Sequence, residues 1–130
     1  MTNVPDDRRY SRAHEWVLVE DGAALLGITD YAQDQLGDVV FVELPPVGTR
    51  VNQYGKIGEV ESVKSVSDIY SPVTGDVVEI NSELDANPQF VNESPYSQGW
   101  MVKVVLNNPE EMETLMSATE YQNFLGTLDH

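Results

Sequence analysis

The chain has 130 residues, no cysteine, and seven basic side chains against twenty-two acidic ones, for a formal charge of −15. The missing thiols exclude disulfides, thiolate metal sites, iron–sulfur clusters and a cysteine nucleophile, and the acidic excess repels nucleic-acid phosphates and anionic membrane surfaces. Its length fits one domain of ~100–150 residues, and 41% hydrophobic residues are enough to bury a core.

At the N-terminus, Met1 to Asp7 carry neither an apolar signal stretch nor a basic transit pattern. No apolar run nears the ~20 residues of a membrane span. A soluble, cytoplasmic protein is therefore expected. His14 and His130 stand at opposite ends of the chain, so no histidine metal site is expected either. Three of the four arginines are Arg8, Arg9 and Arg12, whereas no base follows Lys103 among Glu110, Glu111, Glu113, Glu120 and Asp129. Such ends are either two solvated faces or partners across the fold.

Up to about residue 106 the pattern is mainly β. Trp16–Val19 and Ala24–Ile28 flank Asp21-Gly22, a pair that tolerates positive φ and signals a hairpin. His14 is placed in a strand, as a structural hydrogen-bonding residue. Thr29 or Asp30 caps a short helix through Leu36, closed by Gly37. A strand over Asp38–Leu44 stops at Pro45-Pro46, which cannot donate to a ladder. Further strands are expected at Lys56–Ser62, Val66–Tyr70, Asp76–Ile80 and Trp100–Leu106. Asn108-Pro109-Glu110-Glu111 reads as a capped helix start. Ser117-Ala118-Thr119-Glu120 has capping-box spacing, so a second helix is expected there. Leu115, Met116, Tyr121, Phe124 and Leu125 would pack this tail onto the β body.

Gly37-Asp38-Val39-Val40 recurs as Gly75-Asp76-Val77-Val78. Two similar half-sheets would then present the segment between them, Glu61 to Asp68, at one end of the molecule. Lys64 lies there among Glu59, Glu61 and Asp68, in a turn without Gly, Asn or Pro. Its long stem suits it to covalent attachment; an ordinary surface lysine is the plainer reading.

Glu61-Ser62-Val63-Lys64-Ser65, with Asp68 and Ser71-Pro72-Val73-Thr74-Gly75, resembles the lipoylation site of glycine cleavage system H proteins. His14-Glu15-Trp16, Gly27-Ile28-Thr29, Leu36-Gly37-Asp38, Phe41-Val42-Glu43-Leu44-Pro45, Ser94-Pro95-Tyr96 and Gly99-Trp100-Met101 are similar to that family in order and spacing. The resemblance covers roughly residues 10–106, and the acidic tail is similar too. It implies a barrel-sandwich hybrid of two small antiparallel sheets, with a short helix in the N-terminal half and helices at the C-terminus. A single lipoyl-carrier domain over 1–130 is expected, with a β core at about 10–106 and a helical segment at about 108–127.

The implied role is a non-catalytic carrier, with lipoate joined to Lys64 by an amide bond. The implied partners are glycine decarboxylase (P protein), the tetrahydrofolate-dependent aminomethyltransferase (T protein), dihydrolipoamide dehydrogenase (L protein) and lipoate-attachment enzymes. The arm would carry an aminomethyl group from the first to the second and reducing equivalents to the third. Glu15 and Asp68 match family residues that line a cleft for the aminomethyl cation. Gln35 stands where several relatives have histidine, and glutamine cannot be charged.

Three rival functions are weighed. A biotin carrier shares the fold but usually has methionines beside its lysine, where this chain has Val63 and Ser65. A related lipoyl carrier, or a lipoyl relay serving another pathway, would keep Lys64; Glu15, Asp68 and Ser94-Pro95-Tyr96 favour glycine cleavage over it. A free-standing hydrolase or binding domain would need a Ser–His set, a phosphate loop or a metal set, and none is recognisable.

Overall fold

The computed structural model describes residues 3–128 and arranges nine strands in two antiparallel sheets that do not close into a barrel. Asp129 and His130 lie outside the described residues. The strands are β1 (Arg9–Tyr10), β2 (Glu15–Glu20), β3 (Ala23–Ile28), β4 (Val39–Glu43), β5 (Arg50–Val51), β6 (Lys56–Ser62), β7 (Val66–Tyr70), β8 (Gly75–Ile80) and β9 (Val102–Leu106). The larger sheet runs β1-β2-β3-β9-β8-β5, and the smaller runs β4-β6-β7.

Local chemistry explains the hairpins. Asp21 and Gly22 take φ of 50° and 80°, the pair of positive values that a two-residue turn between twisted strands requires. Helix α1 (Asp30–Leu36) starts where the Thr29 side chain accepts from the Ala32 N–H, and ends where the Gly37 N–H returns to the Gln33 carbonyl. Helix α4 (Ala118–Gly126) has its full capping box, with Ser117 and Glu120 satisfying each other's backbone.

Alternating strand residues build two apolar layers. Val17, Leu26, Val77, Val102 and Val104 fill one, and Ile28, Val42, Val60, Ile69 and Met101 the other; half-buried Leu44 and Ile57 touch both. Each buried side chain of this size stabilises the fold by ~1.5–3 kcal/mol. A third, aromatic layer docks α4: the Tyr10 and Tyr121 rings stack 4.7 Å apart, beside buried Trp16 and Leu125.

Several expectations need correction. The segment after Asn108 is a 3-10 helix, Pro109–Thr114, and the Asn108 side chain caps nothing. Glu111 turns away to accept from the Thr74 N–H and hydroxyl, both at 2.7 Å. Strands β1 and β5 are two residues each, too short for a periodic signal. Helices α2 (Glu83–Ala86) and α3 (Phe90–Glu93) were equally invisible. They occupy a loop clamped by buried Asn81, whose Nδ2 donates to the Gln98 and Trp100 carbonyls at 2.8 Å.

The repeated Gly-Asp-Val-Val segments open β4 and β8, one in each sheet, yet the sheets are unequal, with three and six strands. The two glycines also differ. Gly37 has φ of 81° in a helix end, whereas Gly75 lies within β8 with its Cα face against the Val105 carbonyl.

The arginine-rich start and acidic tail make no ion pair with one another among the described residues. Arg8 pairs with Asp7 and lies over the Trp16 ring; Arg9 donates to the Leu115 carbonyl; Arg12 lies over Phe124.

Candidate functional site

The β6–β7 hairpin places Lys64 at its tip. The strands pair through Glu59↔Asp68, Val60↔Ser67 and Glu61↔Val66. Ser62 then does what a turn glycine or asparagine usually does. Its buried hydroxyl accepts from the Lys64 N–H (3.2 Å) and the Ser65 N–H (3.1 Å), while its own N–H donates to the Ser65 carbonyl at 2.8 Å. The Val63 N–H donates to the Asp38 carbonyl at 3.0 Å, tying the turn to the start of β4.

The Lys64 stem runs past Gly37, where a Cβ would sit 3.4 Å from the lysine Cε. With φ 81° and ψ −159°, Gly37 occupies a region that is essentially closed to other residues.

The other lysines stand differently. Lys56 is held by Glu59 at 2.7 Å and Asp68 at 3.2 Å. The hydrogen bond to Glu59, then that to Asp68, pushes its pKa up to about 12. Lys103 is half-buried in β9, within the larger sheet. Lys64 is exposed and, among the described residues, joins no ion pair.

Beside the turn is a cleft of about 400 Å³ between the start of β2, helix α1 and strand β7. Glu15, Gln35 and Asp68 all line it, so the structure brings the three candidates together, with Ile28, Leu36 and Val66 as apolar wall. Ser65, the neighbour of Lys64, forms part of its rim.

Glu15 is only 3% exposed. Its carboxylate accepts from the Ser11 hydroxyl at 2.6 Å and the Tyr70 N–H at 3.2 Å. Burial outweighs both bonds and pushes its pKa up to about 7. Asp68 is exposed and committed to Lys56 and, at 3.4 Å, to the Tyr70 hydroxyl. Gln35 is exposed and makes no side-chain hydrogen bond among the described residues, which leaves its amide available to whatever enters.

His14 is not in a strand: it precedes β2 with φ of 71°. Its Nδ1 lies 2.8 Å from the Tyr121 hydroxyl, which also meets Thr29 Oγ1 at 2.7 Å. Burial lowers its pKa, which suits a structural hydrogen-bonding role. Among the described residues, no group of three His, Cys, Asp or Glu side chains is placed to hold a metal. Sequence reasoning missed Ser11, which meets Glu15, and Asn92, which reaches both sides of the α1–β4 junction. Neither residue carries a local signal.

Residues 8–127 match the family described as Glycine cleavage H-protein. The glycine cleavage system H protein of Symbiobacterium thermophilum is 52% identical over 124 residues, covering 95% of this chain and 97% of that one. The glycine cleavage system H protein of Staphylococcus saprophyticus is 53% identical over 123 residues, covering 95% and 98%. A crystal structure of a glycine cleavage system H protein from Mycobacterium marinum superposes with a TM-score of 0.88 at 38% identity, over 95% of this chain and 99% of that one.

Proposed function

The chain belongs to the glycine cleavage H-protein family, and on that premise we propose that it is a lipoyl carrier of the glycine cleavage system. In this reading it is a non-catalytic subunit and a single lipoyl-carrier domain, acting in the cytoplasm. Lys64 holds lipoate through an amide bond. The observation that carries the assignment is the contrast among the lysines. Lys56 is ion-paired with two carboxylates and Lys103 is half-buried, while Lys64 is exposed at the tip of an ordered hairpin and, among the described residues, joins no ion pair.

The surroundings fit the group. The cleft beside the tip has a volume of about 400 Å³, is partly apolar, and is lined by Ser65, the neighbour of Lys64. Bound lipoate supplies a dithiolane that takes up a one-carbon amine together with two electrons and later yields both. The partners are glycine decarboxylase, the aminomethyltransferase, dihydrolipoamide dehydrogenase and the enzymes that attach lipoate. Attachment removes one positive charge, taking the chain from −15 to −16.

Within the cleft Glu15 holds the cargo's ammonium. With its pKa pushed up to about 7, the empty site is divided between neutral and ionised carboxyl near neutrality. An arriving cation favours the ionised form, so a proton leaves as the cargo enters. A charge-assisted hydrogen bond of this kind contributes roughly 1.5–3 kcal/mol before desolvation. Gln35 adds uncharged donors and acceptors, and Asp68 lends negative potential from its pair with Lys56.

Incubation with a lipoate–protein ligase, ATP and lipoate, followed by intact mass and peptide mapping, tests the assignment. One lipoyl group on Lys64 is expected, with none on folded Lys64→Ala. Lipoate on Lys56 or Lys103 overturns it. Reconstituted glycine decarboxylation then separates this role from a lipoyl relay for another pathway, which would be modified but inactive in that assay.

A further inference from the structure

We propose that Asn92 is a positioning residue for the acylation of Lys64, holding the junction from which the acceptor turn hangs; the proposal rests on reading Lys64 as the lipoyl acceptor. Asn92 lies on α3, more than twenty-five residues beyond the turn. Its Oδ1 accepts from the Val39 N–H at 2.8 Å, and its Nδ2 donates to the Gly37 carbonyl at 2.8 Å and to Gln33 Oε1 at 2.9 Å. One side chain thereby joins the end of α1 to the first residue of β4.

Between those two anchored residues is Asp38, whose carbonyl receives the Val63 N–H of the turn at 3.0 Å. Gly37, the other anchored residue, is also the surface along which the Lys64 stem runs. These two contacts on the tip, and the pairing of Val39 with Ser62, all pass through the stretch Gly37–Val39 whose two ends Asn92 holds. The support is rigid on its far side. Val91, next to it, is fully buried among Val39, Val42 and Met101. Gln33 is steadied in turn by its Nε2 donating to Asp30 Oδ1 at 2.8 Å.

An amide is the group this position calls for. Its oxygen faces one N–H and its nitrogen faces two oxygens, so a carboxylate would set oxygen against oxygen at Gly37 and Gln33. The chemistry served is acyl transfer from a lipoyl adenylate. The neutral Lys64 amine attacks the acyl carbon, the amide C–N bond forms, the C–O bond to phosphate breaks, AMP leaves and the nitrogen releases a proton. That step needs the amine in attack geometry. The hydrogen bonds of the Asn92 side chain go to Gln33, Gly37 and Val39 and not to β6 or β7, so its loss is expected to act on the orientation of the turn more than on the surface the hairpin presents.

The test is steady-state lipoylation of the full chain, without prior lipoate, by a lipoate–protein ligase with ATP and lipoate. Asn92→Ala and Asn92→Asp are each expected to lower kcat about 10-fold with KM within twofold of wild type, and to speed amide exchange at Val63. Val104→Ala, in the other apolar layer, supplies a control of comparable lost stability with unaltered kcat. Wild-type kcat in either folded Asn92 variant overturns the proposal while leaving Lys64 as acceptor. An equal loss in Val104→Ala overturns it as well, since the effect would then be global stability. Failure of the wild type to be modified at Lys64 removes the underlying reading itself.

Discussion

Glu15 makes the stability of this protein depend on pH in a calculable way. Burial raises its carboxyl from 4.5 to about 7, so the folded protein binds the proton more tightly than the unfolded chain. Stability from this group is complete below about pH 4.5, falls as pH rises toward 7, and is flat beyond. At about 1.4 kcal/mol per pH unit, a rise of that size costs roughly 3 kcal/mol of stability on going from acid to neutral pH. Glutamine keeps the shape and one acceptor but cannot ionise. It also turns an N–H₂ toward either the Ser11 hydroxyl or the Tyr70 N–H, a constant penalty at every pH. Urea unfolding of wild type and Glu15→Gln from pH 4 to 8 isolates the effect, because the other titrating groups cancel in the difference. The difference should move by roughly 3 kcal/mol in favour of the glutamine variant as pH rises through 4.5 to 7. A difference that stays constant within error would refute the reasoning that desolvation dominates at this carboxyl.

Two further outcomes test the packing that holds the cleft. Gly27→Ala would put a methyl 2.7 Å from three atoms of the Trp16 ring, which is fully buried and bonded through Nε1 to the Pro95 carbonyl; a loss of about 3 kcal/mol is expected in urea unfolding, and wild-type stability would contradict the close approach. Tyr121→Phe removes the hydroxyl shared by His14 and Thr29; it should cost ~1–3 kcal/mol, and a Tm equal to wild type would show that those groups find other partners.

What the sequence determined by itself was set by neighbours a few residues apart. Asp21-Gly22 makes its turn, Thr29 and Gly37 bound α1, Ser117 and Glu120 box α4, and Lys56–Ser62 and Val66–Tyr70 bracket Lys64, all through local hydrogen bonds and φ preferences that each segment carries with it. Three of its readings failed where distant contacts outweighed local ones. Glu111 was drawn off to Thr74, His14 was turned to positive φ facing Tyr121, and the Gly-Asp-Val-Val repeat was drawn into unequal sheets.

The chemistry of the cleft was decided only by the tertiary structure. Glu15 meets Tyr70 across 55 residues, and Asn92 meets Val39 across 53. Burial, and the charge and hydrogen bonding that follow from it, depend on which surfaces the sheets bring together, and no stretch of sequence contains both sides of such a contact. That Lys64 stands at the tip of a hairpin can be read from the two strand-like runs on either side of it. How a carboxyl beside it ionises depends on how much water the rest of the fold excludes.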